Sequence, residues 1–207
     1  MPLPWGFRVQ LGTFYTVNSP ESIVSILSPM RILGIDPGLN TTGYGVLEIV
    51  NRKVRLVEAG VVRGKTKGSL TARVREIHDG VSDVIASLKP QVLALEKIYA
   101  HYDRPTTAIL MGHARGVIVL AAAQAGIDVH DYAATQVKKS LTDNGRAPKS
   151  QMQLAVQREL RLSTLPEPAD VADALAIALC HIYSSPASAG GLRLDVIINS
   201  TVTPPRA

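Results

Sequence analysis

Four carboxylates in this chain stand where two strand ends and one helix start could bring them together: Asp36, Glu96, Asp170 and Asp173. Asp36 closes the apolar run Arg31-Ile32-Leu33-Gly34-Ile35 and is followed at once by Pro37-Gly38, so the chain turns as soon as the acid is delivered. Glu96 closes a second short apolar run, Gln91 to Leu95, in the same way. Asp170 and Asp173 are three residues apart at the start of an apolar helical segment, which places their Cβ atoms about 5–6 Å apart on one face. Taken alone, that pair has a plain structural meaning: Asp170 as N-cap and Asp173 in the first turn would satisfy free N–H groups and offset the helix dipole. Gathered with Asp36 and Glu96, the pair means something else. Four carboxylates repel one another, so either one takes up a proton or a cation sits among them. An all-oxygen donor set selects a hard ion, Mg2+ or Mn2+. Two such ions about 3.5–4 Å apart activate water and stabilise the leaving oxygen of an in-line phosphodiester displacement.

The elements that must position these acids are legible from periodicity. Arg31 to Ile35, Gly43 to Val50 and Val54 to Arg63 read as three antiparallel strands. From Ser69 to Leu88 the apolar residues Leu70, Val74, Ile77, Val81, Ile85 and Leu88 recur at helical spacing, with Ser69 as N-cap and Pro90 as stop. A helix joins consecutive parallel strands by a right-handed crossover, so Asp36 and Glu96 should emerge at the same sheet edge. The helix from about Thr106 to Ala125 is apolar almost all round, which predicts burial on more than one side. Its small residues Gly112, Ala114, Gly116 and Ala121 to Ala123 suggest a close approach both to the sheet and to a second subunit. Arg115 near its centre argues against a membrane span, at about 2.5–3.5 kcal/mol in lipid. Ile127 to Tyr132 is a fifth strand. A helix through Gln136 and Leu141 should end at Gly145, and Ser150 should cap another helix to about Leu160. Ala169 to Tyr183 is the last, and Leu192 to Ile198 has the pattern of a further strand.

The 207 residues suit one domain, and 46% apolar residues are enough for a sizeable core. With 22 Lys and Arg against 17 Asp and Glu, the formal charge of +5 favours a polyanionic partner such as nucleic acid. The single cysteine, Cys180, can form neither an internal disulfide nor a cysteine metal cluster, which points to a reduced, cytoplasmic setting. Residues 1–29 hold one base and one acid, so the basic character belongs wholly to the chain from Met30 onward. They show neither a secretory signal nor a transit peptide. They read as a disordered extension or as residues upstream of a start at Met30, and we take the second. The functional domain then covers residues 30–185, with a loose tail at 186–207.

The motifs ILGIDPG, TGYG, LALEKIYA, HARGVIVLAA, AATQVKKSLTDNGRAPKSQMQ and ADVADALAIALCH, in that order, resemble those of the RuvC family of bacterial Holliday-junction resolvases. The likeness runs from Met30 to about Tyr183, and its motifs are specific in combination. It implies an α/β, RNase H-like fold with a five-stranded mixed sheet of order 3-2-1-4-5 and helices on both faces. It implies a homodimeric endonuclease that nicks two like-polarity strands symmetrically across four-way junction DNA, dimerised through the HARG helix and working with the RuvA–RuvB branch-migration complex. Asp36, Glu96, Asp170 and Asp173 fall on the family's catalytic metal ligands, with Asp36 bridging two Mg2+ ions, for which Mn2+ substitutes. In some relatives a histidine replaces one acid of the last pair, at the position of Asp170. Lys138 and Lys149 fall on family lysines beside the scissile phosphate, where a solvated surface lysine is the plainer alternative. Tyr99 matches an aromatic that contacts unstacked bases, against a tyrosine simply packed at the sheet edge. Arg104, Arg115 and Arg146 are placed as phosphate contacts, although exposed arginine is common. His101 and His113 lack partners at metal spacing and read as ordinary polar residues.

Two other readings compete. A GIDxG segment after a strand also approaches nucleotide phosphates in actin-like and sugar-kinase ATPases, but those folds need two similar domains and this chain has room for one. A non-catalytic junction-binding module would not need the intact acidic set.

Overall fold

The computed structural model describes residues 29–63, 68–98, 105–185 and 195–196. Residues 1–28 and most of the C-terminal tail lie outside the described residues, as do Tyr99, His101 and Arg104. Strand β1 (Met30–Asp36) pairs antiparallel with β2 (Thr41–Val50), which pairs antiparallel with β3 (Lys53–Arg63). Helix α1 (Leu70–Leu88) crosses to β4 (Val92–Glu96), and helix α2 (Pro105–Gln124) to β5 (Asp128–Tyr132). β4 lies parallel between β1 and β5, so the expected order 3-2-1-4-5 is the order observed. A sixth, two-residue strand, β6 (Asp195–Val196), extends the sheet by pairing parallel with Lys53 and Val54 of β3. It falls inside the segment read as a further strand, Leu192 to Ile198.

Strand alternation divides the sheet cleanly. Leu33, Ile35, Leu93 and Leu95 point to the α1 and α2 side, packing with Ile77, Val81, Ala114 and Ile118. Ile32 and Ala94 point the other way, into a second core with α3 (Ala134–Thr142), α4 (Lys149–Glu159) and α5 (Ala169–Ser184). α5 is buried along nearly its whole length, from Val171 to Ile182, and lies across β1 and β2. It lies very close. A Cβ on Gly34 would sit 2.2 Å from the Ala174 carbonyl oxygen, and one on Gly43 would sit 2.0 Å from that of Asp170. Only glycine fits at these two positions, which explains the glycines of the ILGIDPG and TGYG segments.

Helix ends depart from the sequence reading in three places. Ser69 caps α1 as expected, accepting from Ala72 N at 3.2 Å. α3, however, stops at Thr142 with Asp143 in the left-handed region (φ 55°), two residues before Gly145. A short Asp side chain tolerates that conformation, so the glycine was not needed. α4 begins at Lys149 after Pro148, and Ser150 lies within its first turn instead of capping it. α5 begins after Pro168 with no side-chain cap, so neither Asp170 nor Asp173 is its N-cap. Of the sides of α2 expected to be buried, the one toward the sheet is: Ala114, Ile118, Ala121 and Ala122 are buried there, whereas Ile109 is 62% and Leu120 49% exposed in the single chain. A Cβ added at Gly112 or Gly116 would meet nothing within 4 Å among the described residues. α2 is long and apolar enough to cross a membrane by composition, but one of its sides is occupied by the protein core.

Candidate active site

Period-two alternation carries the α5-facing side of β1 from Ile32 through Gly34 to Asp36, and that of β4 from Ala94 to Glu96. Gly34 pairs with Ala94 in register, so Asp36 and Glu96 leave the sheet side by side. Both point toward the first turns of α5, where Asp170 and Asp173 stand. The four carboxyls line one cavity of about 380 Å³, together with Lys138 of α3 and Lys149 at the start of α4. All four acids are only partly buried, so a substrate can reach them.

Electrostatics in this cavity are those of crowded acids. Burial, then the charges of Glu96, Asp173 and Asp170, push the Asp36 carboxyl up to about 8, and a hydrogen bond to Glu96 adds to the rise. Glu96 is itself raised, chiefly by burial and also by Asp173, against the opposing effects of its hydrogen bond to Asp36 and of Lys138 and Lys149. Burial raises Asp173 as well, with Lys149 opposing it from 3.5 Å (Nζ to Oδ2). Among the described residues no three acidic, histidine or cysteine side chains are gathered closely enough to hold an ion as they stand. The donor chemistry nevertheless fits a hard divalent cation: the carboxylate repulsion that adds to burial in raising Asp36 is what such an ion would relieve.

Six of the residues singled out from the sequence therefore meet at one place: Asp36, Glu96, Asp170, Asp173, Lys138 and Lys149. Arg146 does not line the cavity. It lies exposed in the turn before α4, its backbone N–H donating to Asn144 Oδ1 at 3.0 Å. Arg115 faces inward and pairs with Asp131 of β5 at 2.5 Å, so it is engaged within the fold. His113 is exposed on α2. Tyr99 and Arg104 lie outside the described residues. Sequence reasoning missed Thr41 and Met111, which also line the cavity. Thr41 had a signal, since it opens the strand that returns from the Asp36 turn. Met111 had none, because the apolar sequence of α2 does not distinguish the residue that reaches the cavity from its neighbours.

The chain was compared with known proteins. A family model described as crossover junction endodeoxyribonuclease RuvC matches residues 32–181. The protein of that name from Rhodopirellula baltica is 59% identical over 152 residues, 73% of this chain and 85% of its own length. The one from Bordetella avium is 43% identical over 157 residues, 76% of this chain and 86% of its own. Among solved structures, Thermus thermophilus RuvC in complex with a Holliday junction substrate is similar with TM-score 0.70 and 35% identity, covering 78% of this chain and 96% of that one. A yeast mitochondrial Holliday junction resolvase, at TM-score 0.51 and 12% identity over 73% of this chain and 77% of that one, shares the fold. On the span and level of these matches, the chain belongs to the RuvC family of crossover junction endodeoxyribonucleases.

Proposed function

We propose that this protein is a metal-dependent endonuclease that resolves Holliday junctions by paired, symmetric nicking of like-polarity strands during recombination and repair. The observation that carries the reading is the convergence of Asp36, Glu96, Asp170 and Asp173 on one cavity flanked by Lys138 and Lys149. Asp36, Glu96, Asp170 and Asp173 would hold two Mg2+ ions, or Mn2+ in their place. Bound there, the ions supply an activated water and neutralise charge on the leaving oxygen. Lys149 and Lys138 hold positive charge beside the acids, where an incoming phosphodiester meets it before it meets the carboxylates. Tyr99, Arg104 and Arg146 are assigned to the DNA surface.

The working unit is a homodimer. One acidic site cuts one strand, and two sites related by a two-fold axis match the symmetry of a four-way junction. The bare apolar side of α2, with Ile109, Gly112, Gly116 and Leu120, supports α2 as the face that a second copy covers. The division into residues 30–185 as resolvase domain, with the extension 1–29 and tail 186–207 outside the mechanism, belongs to this reading, as do a cytoplasmic location and cooperation with RuvA–RuvB.

The deciding experiment uses Asp36→Asn on a synthetic four-way junction with Mg2+ or Mn2+. Wild-type protein should release symmetrically nicked products only with metal, and the variant should bind the junction without cutting it. Rapid cleavage by the variant would sink the assignment.

A further inference from the structure

We infer that Arg73 and Asn40 form a paired phosphate contact for the DNA strand entering the cavity. The inference rests on the nuclease reading above. Asn40 is exposed in the turn that follows Asp36, between the cavity-lining residues Gly38 and Thr41. Arg73, in the first turn of α1, donates from Nη2 to Asn40 Oδ1. That bond occupies one lone pair of Asn40 Oδ1, the side chain's single acceptor atom. What the pair presents outward is then mainly donors: the Asn40 amide N–H groups and the terminal guanidinium N–H groups not spent on Asn40. A group dominated by donors, one of them cationic, suits a phosphate oxygen.

A purely structural role accounts poorly for the pair. The turn is already closed without Arg73, since Thr42 Oγ1 donates to the Gly38 carbonyl at 2.8 Å and Leu39 is buried in the core. Arg73 Nε is buried with no hydrogen-bond partner among the described residues, a cost that a brace on an exposed asparagine does not offset. No acid occupies the first turn of α1, so none within that turn offsets the positive helix end.

The test compares wild type, Arg73→Ala, Asn40→Ala and Asn40→Asp for metal-free binding to a synthetic four-way junction across a KCl series. Asn40→Asp separates the roles. It keeps or strengthens the Arg73 bond, which a structural brace would welcome, but it turns a donor into a repelling anion. As a phosphate contact, Arg73→Ala should bind roughly tenfold more weakly at low salt, with the slope of log affinity against log salt shallower by about one. Asn40→Asp should bind at least as poorly as Asn40→Ala while melting no lower than wild type. Wild-type binding and salt slope in Asn40→Asp, or an Arg73→Ala protein that melts lower yet keeps the wild-type slope, would overturn the inference and leave the nuclease reading intact. Absence of junction binding by wild type would overturn both.

Discussion

Alanine at position 34 probes whether the acidic set depends on how closely α5 lies on the sheet. The added methyl would fall 2.2 Å from the Ala174 carbonyl oxygen, 2.8 Å from Ala178 N and 2.9 Å from Ala178 Cβ. Two of these obstacles are helix backbone, which cannot rotate aside. Non-bonded contact distances are roughly 3.5 Å, so α5 must retreat by about 1 Å or tilt by an equivalent amount. Such overpacking costs about 1–3 kcal/mol, which a domain of ordinary stability survives. The retreat carries Asp170 and Asp173 with it, while Asp36, two residues along the altered strand, stays anchored by its pairing to Gly43 of β2 and by that of the preceding Ile35 to Leu95 of β4. A misplacement of about 1 Å can cost roughly 10²-fold in rate. Single-turnover cleavage of a four-way junction, at saturating protein and Mg2+, should therefore slow by about two orders of magnitude. Metal-free junction binding should change little, and thermal unfolding should remain cooperative at a lower midpoint. A folded Gly34→Ala protein that cuts at close to the wild-type rate would refute the claim that close contact between α5 and β1 sets the geometry.

With Asp36 pushed up to about 8, protonated exceeds ionised by about ten to one at pH 7. Apparent Mg2+ affinity should then rise about tenfold per pH unit up to pH 8 and level off above it, with proton release visible by calorimetry in buffers of different ionisation enthalpy; affinity flat from pH 6 to 8 contradicts this. The same shift has a stability consequence in the metal-free protein, because the folded-state value lies above the ordinary one of 3.8. The stabilisation is complete below 3.8 and is lost as pH rises toward 8, so the metal-free melting temperature should fall over that range and added Mg2+ should restore it. Far from the cavity, Glu48 is almost fully buried between Arg31, 2.8 Å away, and Arg55. Burial favours its neutral form, but the hydrogen bonds and charges of the two arginines outweigh burial and leave its carboxyl below the ordinary range. Glu48→Gln should cost about 1–3 kcal/mol at neutral pH, since both arginines are partly solvated. The deficit should shrink as acid titrates the wild-type carboxylate, and equal denaturant midpoints at pH 7 would contradict it. Arg115→Met should loosen α2 from β5 by removing the bond to Asp131, seen as faster amide exchange at the β5 edge with the fold retained.

The layout of the acids was legible because each sits at a period break. Apolar alternation stops at Asp36 and Glu96, and a three-residue spacing opens α5. The crossover rule then sent both strand ends to the same edge. Local signals failed where two residue types compete for one job. Asp143 took the left-handed position offered to Gly145, and α4 started one residue before its apparent cap, Ser150. Composition did not tell which side of α2 meets the sheet and which faces outward, because Ile109 and Leu120 are as apolar as Ile118 in the core. β6 falls inside the apolar segment Leu192 to Ile198 that periodicity had marked, but periodicity did not indicate that it would pair with β3. The bond from Arg73 to Asn40 joins residues from two different elements, and no one-dimensional pattern announces it.

α5 is both the last helix of the domain and the element buried at its centre. During synthesis the strands carrying Asp36 and Glu96 leave the ribosome well before Asp170 and Asp173 exist, and they have no central helix to close against. The growing chain consequently holds half a site and an open sheet face until its final segment arrives. Assembly of the core and arming of the enzyme become one event, so a truncated or stalled product missing α5 carries only half of the acidic set and is unable to cut DNA.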